Sequence, residues 1–247
     1  MSTLSLLAFF PSAFVAEIIG TMAGFGAATV LTPIASWFLP IKTAVAVVAC
    51  FHLFGNASRI YFFRQQIRWK IVGQFGLPGV LLSFIGAQAS AVLPAAAVRV
   101  LLGAFLVVYV WLEARSVTSM RVSPTAKTLA IGGVASGFIA GLIGTGGAIR
   151  SVCLLAFGLP KEAYLGTSAV IALFVDATRL PVYWLQGFLP SVVGPMVLGL
   201  TVVAFCGAWV GQRLVRRVSP VVFKRFVLGM LVVMGMKLLV DGFQGVG

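Results

Sequence analysis

The chain has 247 residues, of which 60% are hydrophobic and only 9% charged, whereas a soluble domain carries roughly 25% charged residues. So few charges cannot cover a globular surface, which excludes an ordinary soluble domain. The net charge of +13 does not point to nucleic acid, because most basic residues fall in short clusters between long apolar stretches, as cytoplasmic loops do in a membrane protein.

Apolar stretches of about 20 residues are read as membrane spans. Candidates run in chain order near 4–39, 43–63, 71–93, 97–114, 126–158, 163–185, 189–212 and 221–240. The stretch 4–39 is interrupted at Gly20, Gly24 and Gly26, and 126–158 at Gly141, Gly144, Gly146 and Gly147. Two full spans need about 40 residues plus a turn, and each of these stretches has fewer. The N-terminus has no charged segment ahead of its apolar run and no clear cleavage site, so it is expected to belong to the mature fold. Cys50, Cys153 and Cys206 lie in apolar stretches without a C-x-x-C pair, which argues against a disulfide framework.

The chain also repeats itself. A shift of 120 places Gly24 on Gly144, Gly26 on Gly146, Pro40 on Pro160, Asn56 on Asp176 and Arg59 on Arg179. The tetrapeptides Asn56-Ala57-Ser58-Arg59 and Asp176-Ala177-Thr178-Arg179 are nearly the same. Further on the register slips by six, so that Gly103 meets Gly229. A repeat of this size divides the chain into halves, 1–116 and 117–247, and is the mark of a two-fold transporter architecture.

Loop charge orients the halves. If each glycine-broken stretch crosses the membrane once, the basic loops 64–70 and 115–127 lie opposite the most basic loop, 213–225, against the positive-inside rule. If each is instead a re-entrant hairpin, Arg64, Arg68, Lys70, Arg115, Arg121, Lys127, Lys161, Arg213, Arg216, Arg217, Lys224 and Arg225 share one side. The other side then holds Lys42, Arg99 and Lys237. The expected fold is therefore an all-α polytopic membrane protein of two inverted repeats. Each has a glycine-broken hairpin and three transmembrane helices, and both termini lie outside the cytoplasm. Irregular backbone at membrane depth must be surrounded by protein or water, so the tips at Gly24, Phe25, Gly26 and Ala27 and at Gly144, Thr145, Gly146 and Gly147 should meet inside the bundle. The helices starting near Ala28 and Ala148 would aim their N–H groups, and roughly half a positive charge each, at an anion.

Arg59, Arg150 and Arg179 fall within spans or hairpins, where an arginine is costly and marks function by default. Its planar fork of donors matches sulfonate, sulfite or carboxylate oxygens. The alternative is a structural ion pair or a side chain snorkelling to the interface. Asn56 lies on the same helix as Arg59. Asp176, three residues before Arg179, either neutralises that arginine or carries a proton. Glu17 and the single histidine, His52, are the other coupling candidates, and packing is the plainer role for His52. The hydroxyls of Gly166-Thr167-Ser168 could touch substrate or bond a neighbouring helix. No phosphate-loop spacing, H-E-x-x-H, G-x-S-x-G or histidine–cysteine cluster occurs, so no enzyme, metal site or cofactor is expected.

Two glycine-rich segments in order, Gly20-Thr21-Met22-Ala23-Gly24-Phe25-Gly26 leading to Pro33 and Gly141-Leu142-Ile143-Gly144-Thr145-Gly146-Gly147, followed by Leu159-Pro160 and Gly166-Thr167-Ser168, resemble the sulfite exporter TauE/SafE family of membrane permeases, also called TSUP. The resemblance covers nearly the whole chain. It implies transport of a sulfur-containing anion such as sulfite, thiosulfate, sulfoacetate or a taurine-type sulfonate, in a bacterial plasma membrane, coupled to an ion gradient. The chain departs from the pattern at Phe25, at the Gly26-Ala27-Ala28 run, at Arg150 directly after the second tip, and at Cys153 where the first half has Pro33.

The expected function is a secondary anion transporter working by alternating access, its partners being a small anion, the lipid bilayer and, in one arrangement, a second copy of the chain. A passive anion channel would use the same cations without responding to a gradient. A membrane scaffold would hold the arginines in structural pairs and bind no ligand.

Overall fold

The computed structural model describes residues 3–23, 26–115, 123–214 and 220–245. They form helices α1 (Thr3–Ala23), α2 (Ala28–Ala35), α3 (Ile41–Phe63), the single turn α4 (Trp69–Ile71), α5 (Leu77–Val92), α6 (Ala95–Ala114), α7 (Ala126–Ile143), α8 (Gly147–Leu155), α9 (Lys161–Leu185), α10 (Gly194–Leu214) and α11 (Pro220–Phe243). A π-helical turn, Val72–Gly76, joins α4 to α5. The protein is all-α and polytopic. Six described helical segments are long and apolar enough to cross a membrane: Ile41–Gln66, Trp69–Val92, Ala95–Ala114, Ala126–Ile143, Lys161–Leu185 and Ser191–Leu214.

Local chemistry places the breaks. Pro40 and Pro160, paired by the repeat, each stand in extended backbone just before α3 and α9, where a proline's fixed φ suits a helix start. Thr125 caps α7 by accepting from the Thr128 N–H. Gly144 ends α7 in the left-handed region at φ +86, a conformation that costs a side-chain-bearing residue energy.

Both glycine-broken stretches turn back on themselves. In the first, the Gly26 N–H donates to Gly20 O at 3.3 Å, and the rings of Phe9 and Phe38 stand 5.5 Å apart. In the second, a Cβ on Gly146 would lie 2.1 Å from Ser136 O, and one on Gly132 would lie 2.4 Å from Cys153 Sγ. So α2 returns along α1, and α8 along α7. The arms are unequal. The entering arms, α1 and α7, have 21 and 18 residues, the returning arms 8 and 9. Because Gly144 to Gly146 come late in their stretch, α7 has the length of a span, about 27 Å at 1.5 Å per residue.

The ends of the bundle sort by charge. The backbone N–H of Arg68 donates to Thr167 Oγ1 at 3.0 Å, so the basic loop after α3 and the start of α9 share an end. At the other end Lys42 Nζ donates to Ala91 O at 3.0 Å and lies over the Phe188 ring. A single crossing by each broken stretch would put the first pair on opposite sides. The five tryptophans (Trp69, Trp111 and Trp209 toward the basic end, Trp37 and Trp184 toward the other) are all well exposed, as interfacial belts require. Large apolar side chains such as Leu81, Val108, Ile131 and Val202 face outward, where lipid would meet them.

Repeat-related helices run antiparallel where they meet. Phe63 lies by Gly166 and Asn56 by Asp176 along α3 and α9. Gly103 lies by Gly235, and Ala96 by Gly242, along α6 and α11. The hairpin arms pair across the halves instead, α7 with α5 and α1 with α10. Along α5 and α7 the backbones nearly touch: a Cβ on Gly137 would fall 2.0 Å from Gly79 O. Such approaches replace the hydrophobic drive that lipid removes between membrane helices.

Candidate functional site

The polar residues expected in the core are there. Glu17, His52, Asn56, Arg59, Thr145, Arg150, Asp176 and Arg179 are each less than about a tenth exposed. Glu17, Arg59, Asn56, His52, Asp176 and Arg179 form one network joined through Asn56, and Thr145 and Arg150 bond instead to Thr29 and Ser168.

Arg59 does not snorkel. It reaches inward, with Nη2 on Glu17 Oε1, Nε on Thr21 Oγ1 at 3.2 Å and Nη1 on Asn56 Oδ1 at 2.8 Å. Its repeat partner Arg179 is equally occupied. Its Nε and Nη2 donate to Asp176 Oδ1 at 3.0 and 2.7 Å, and Nη1 donates to Ala140 O at 2.6 Å. Tyr183 donates its hydroxyl to Gly141 O. Arg179 and Tyr183 thus satisfy carbonyls in the last turn of α7, the negative end of that helix. Each arginine ties the deep end of an entering arm to the long helix beside it. The other oxygen of Asp176 accepts from His52 Nδ1 at 2.8 Å and from Asn56 Nδ2 at 3.3 Å. Asp176 therefore neutralises Arg179.

Arg150 differs. It is 3% exposed, and among the described residues only its Nε is engaged, donating to Ser168 Oγ at 2.9 Å. Among the described residues no carboxylate lies within ion-pair distance of it. It sits one turn into α8, whose N-terminus has no side-chain cap; the N-terminus of α2 has none either. A buried guanidinium with unspent donors beside free helix N–H groups is a concentration of positive potential without an internal counter-charge. An anion would complete it.

The two tips meet. Thr29 Oγ1, in the first turn of α2, and Thr145 Oγ1, just before α8, are 2.7 Å apart and buried. His52 points at the first tip: a Cβ on Gly26 would lie 2.3 Å from His52 Nε2, and Gly26 adopts φ +89. Ala27 stands at the N-cap of α2, and Gly146 and Gly147 open α8. Gly24 and Phe25 lie outside the described residues. The hydroxyls of Thr167 and Ser168 are spent on Arg68 and Arg150, the helix-bonding alternative.

Thr29, Thr21 and Tyr183 were not foreseen. The 120-residue shift places Ile149 opposite Thr29 and Phe25 opposite Thr145, so the repeat does not pair the hydroxyls. The available signal was a threonine close to each glycine break.

Neither the curated proteins nor the solved structures gave a match. A family model, Sulfite exporter TauE/SafE, matches residues 9–238. With that match over nearly its whole length, on an all-α bundle with six candidate spans among the described residues, the chain belongs to the sulfite exporter TauE/SafE family and is a multi-pass membrane transporter.

Proposed function

We propose that the protein is a secondary transporter of a small sulfur oxyanion, sulfite or a compact sulfonate, in a bacterial plasma membrane. The anion sits between the hairpin tips, held by the Arg150 guanidinium and by N–H groups at the starts of α2 and α8. The observation that carries this reading is Arg150, a buried cation with no carboxylate partner among the described residues and with donors to spare. Arg59 and Arg179 shape the site by fixing α1 and α7, their own charge being matched by Glu17 and Asp176.

The antiparallel pairing of α3 with α9 and of α6 with α11 supports two inverted repeats, 1–116 and 117–247. The gathering of basic loops at one end supports both termini lying outside the cytoplasm. In such a bundle, rocking one repeat against the other would expose the tips alternately to each side. Thermal stability of the purified protein across sulfite, sulfate, thiosulfate, sulfoacetate, taurine and simple carboxylates tests the site. A shift with a sulfur oxyanion that disappears in Arg150→Ala is expected, since ligand binding stabilises by mass action. No shift with any of these anions, joined to no flux in proteoliposomes, would sink the reading.

A further inference from the structure

His52 is 4% exposed, and its two ring nitrogens have different fates. Nδ1 lies 2.8 Å from Asp176 Oδ2; an ionised carboxylate only accepts, so Nδ1 carries the hydrogen. Nε2 is buried with no hydrogen-bond partner among the described residues and lies against Gly26 in the first tip, where a Cβ would fall 2.3 Å from it. In the neutral ring, Nε2 is a lone pair that has no hydrogen to donate, which matches its lack of an acceptor among the described residues. Once protonated, it becomes a charged donor with no acceptor, costly to leave buried. An oxyanion between the tips supplies that acceptor. Without the proton, the same anion would meet a lone pair.

The charge count agrees. Glu17 and Asp176 oppose Arg59, Arg150 and Arg179, which leaves one positive charge in the cluster when His52 is neutral. A monoanion is balanced by Arg150 alone. A dianion such as sulfite needs one more positive charge, and Nε2 is placed to hold it. The charged groups acting on the ring are Asp176 from α9, Arg150 from α8 and Arg59 from its own helix; Arg179 and Glu17 stand behind them, paired with Asp176 and Arg59.

Building on the transport reading above, we infer that His52 Nε2 carries the proton that accompanies the substrate anion. The lone pair takes a proton from water on the entry side as the anion binds and returns it to water on the exit side. Each ligand favours the other by the same factor, because coupling between sites is reciprocal. Asp176, held by Arg179, positions the ring and does not itself titrate.

The test uses proteoliposomes with the membrane potential clamped, radiolabelled sulfite, wild type, His52→Asn (which can still donate to Asp176) and His52→Gln. Two assays run side by side: sulfite counterflow at equal pH, and uphill accumulation driven by a gradient of one pH unit. With both solutions alkaline enough to keep sulfite as the dianion, wild type is expected to exchange sulfite and to concentrate it about tenfold, the equilibrium for one proton per anion. His52→Gln, whose side-chain amide can still donate a hydrogen bond but cannot carry a proton, should exchange sulfite with a raised KM, reach counterflow at saturating sulfite, and lose accumulation. A variant that exchanges sulfite and still concentrates it as wild type does would overturn the assignment to His52 and leave the transport reading standing. Loss of counterflow in both variants would place His52 in binding or folding and overturn the proton role. Absence of counterflow in wild type would overturn the transport reading and this inference together.

Discussion

Thr29 and Thr145 share a hydrogen bond of 2.7 Å in the interior, although 116 residues separate them in the chain. It is a direct polar contact between the two hairpin tips. Cysteines at both positions, in a background lacking Cys50, Cys153 and Cys206, should cross-link on mild oxidation. Flux should stop when they do and return with reductant. Flux that continues through a fully cross-linked protein would show that the tips need not part.

Arg150→Ala should leave the ligand-free protein as stable as wild type or more so, because it removes a buried charge without stranding a carboxylate. Stabilisation by ligand, about 2.7 kcal/mol at a hundred times Kd, should vanish. Melting curves with and without sulfite measure both effects.

Arg179→Ala should behave in the opposite way. It leaves Asp176 buried and half-partnered and takes one of the donors from the Ala140 carbonyl, a loss of about 3–5 kcal/mol for a broken buried pair. Adding Asp176→Asn should recover much of that loss. A double-mutant cycle with no coupling between the two would contradict the pairing.

Gly137→Val should weaken the bundle, since even a Cβ there would collide with the Gly79 carbonyl. Overpacking of this kind costs about 1–3 kcal/mol or more, to be read as a lowered melting temperature. The same change at Gly187, which has open space around it, is strained only through its positive φ and should cost less.

For topology, a tag at either terminus should be reached by an impermeant reagent from outside the cell, and one inserted at Ser123 only after the membrane is opened. Cytoplasmic termini would refute the orientation.

Much of this arrangement was legible in the sequence, for identifiable reasons. Apolar length announces spans, and glycine announces breaks. Pro40 and Pro160 mark the starts of the same helix in the two halves. Three arginines where none should be tolerated, Arg59, Arg150 and Arg179, announced a polar interior. What could not be read was which of them is satisfied. Glu17 lies 42 residues from Arg59, and nothing local joins them. Ala140 and Gly141 accept from Arg179 and Tyr183 through backbone oxygens, which every residue carries. The unequal hairpin arms were also hidden, because composition gives the length of an apolar stretch but not the depth at which it turns.

The close approach of α5 and α7 has a mechanical meaning. Gly79, Gly133, Gly137 and Gly141 let those two helices rest backbone on backbone, with carbonyls where side chains would be. Between α1 and α10 the contacts are mixed: the Phe10 ring lies where a Cβ on Gly199 would go, while Gly207 and Gly211 meet the Cβ atoms of Glu17 and Thr21 and the backbone oxygens of Phe14 and Ile18. Only the ring can rotate aside. A load that pulled the tips apart would find give at the Phe10 end of α1 and close backbone contact everywhere else along the two joints.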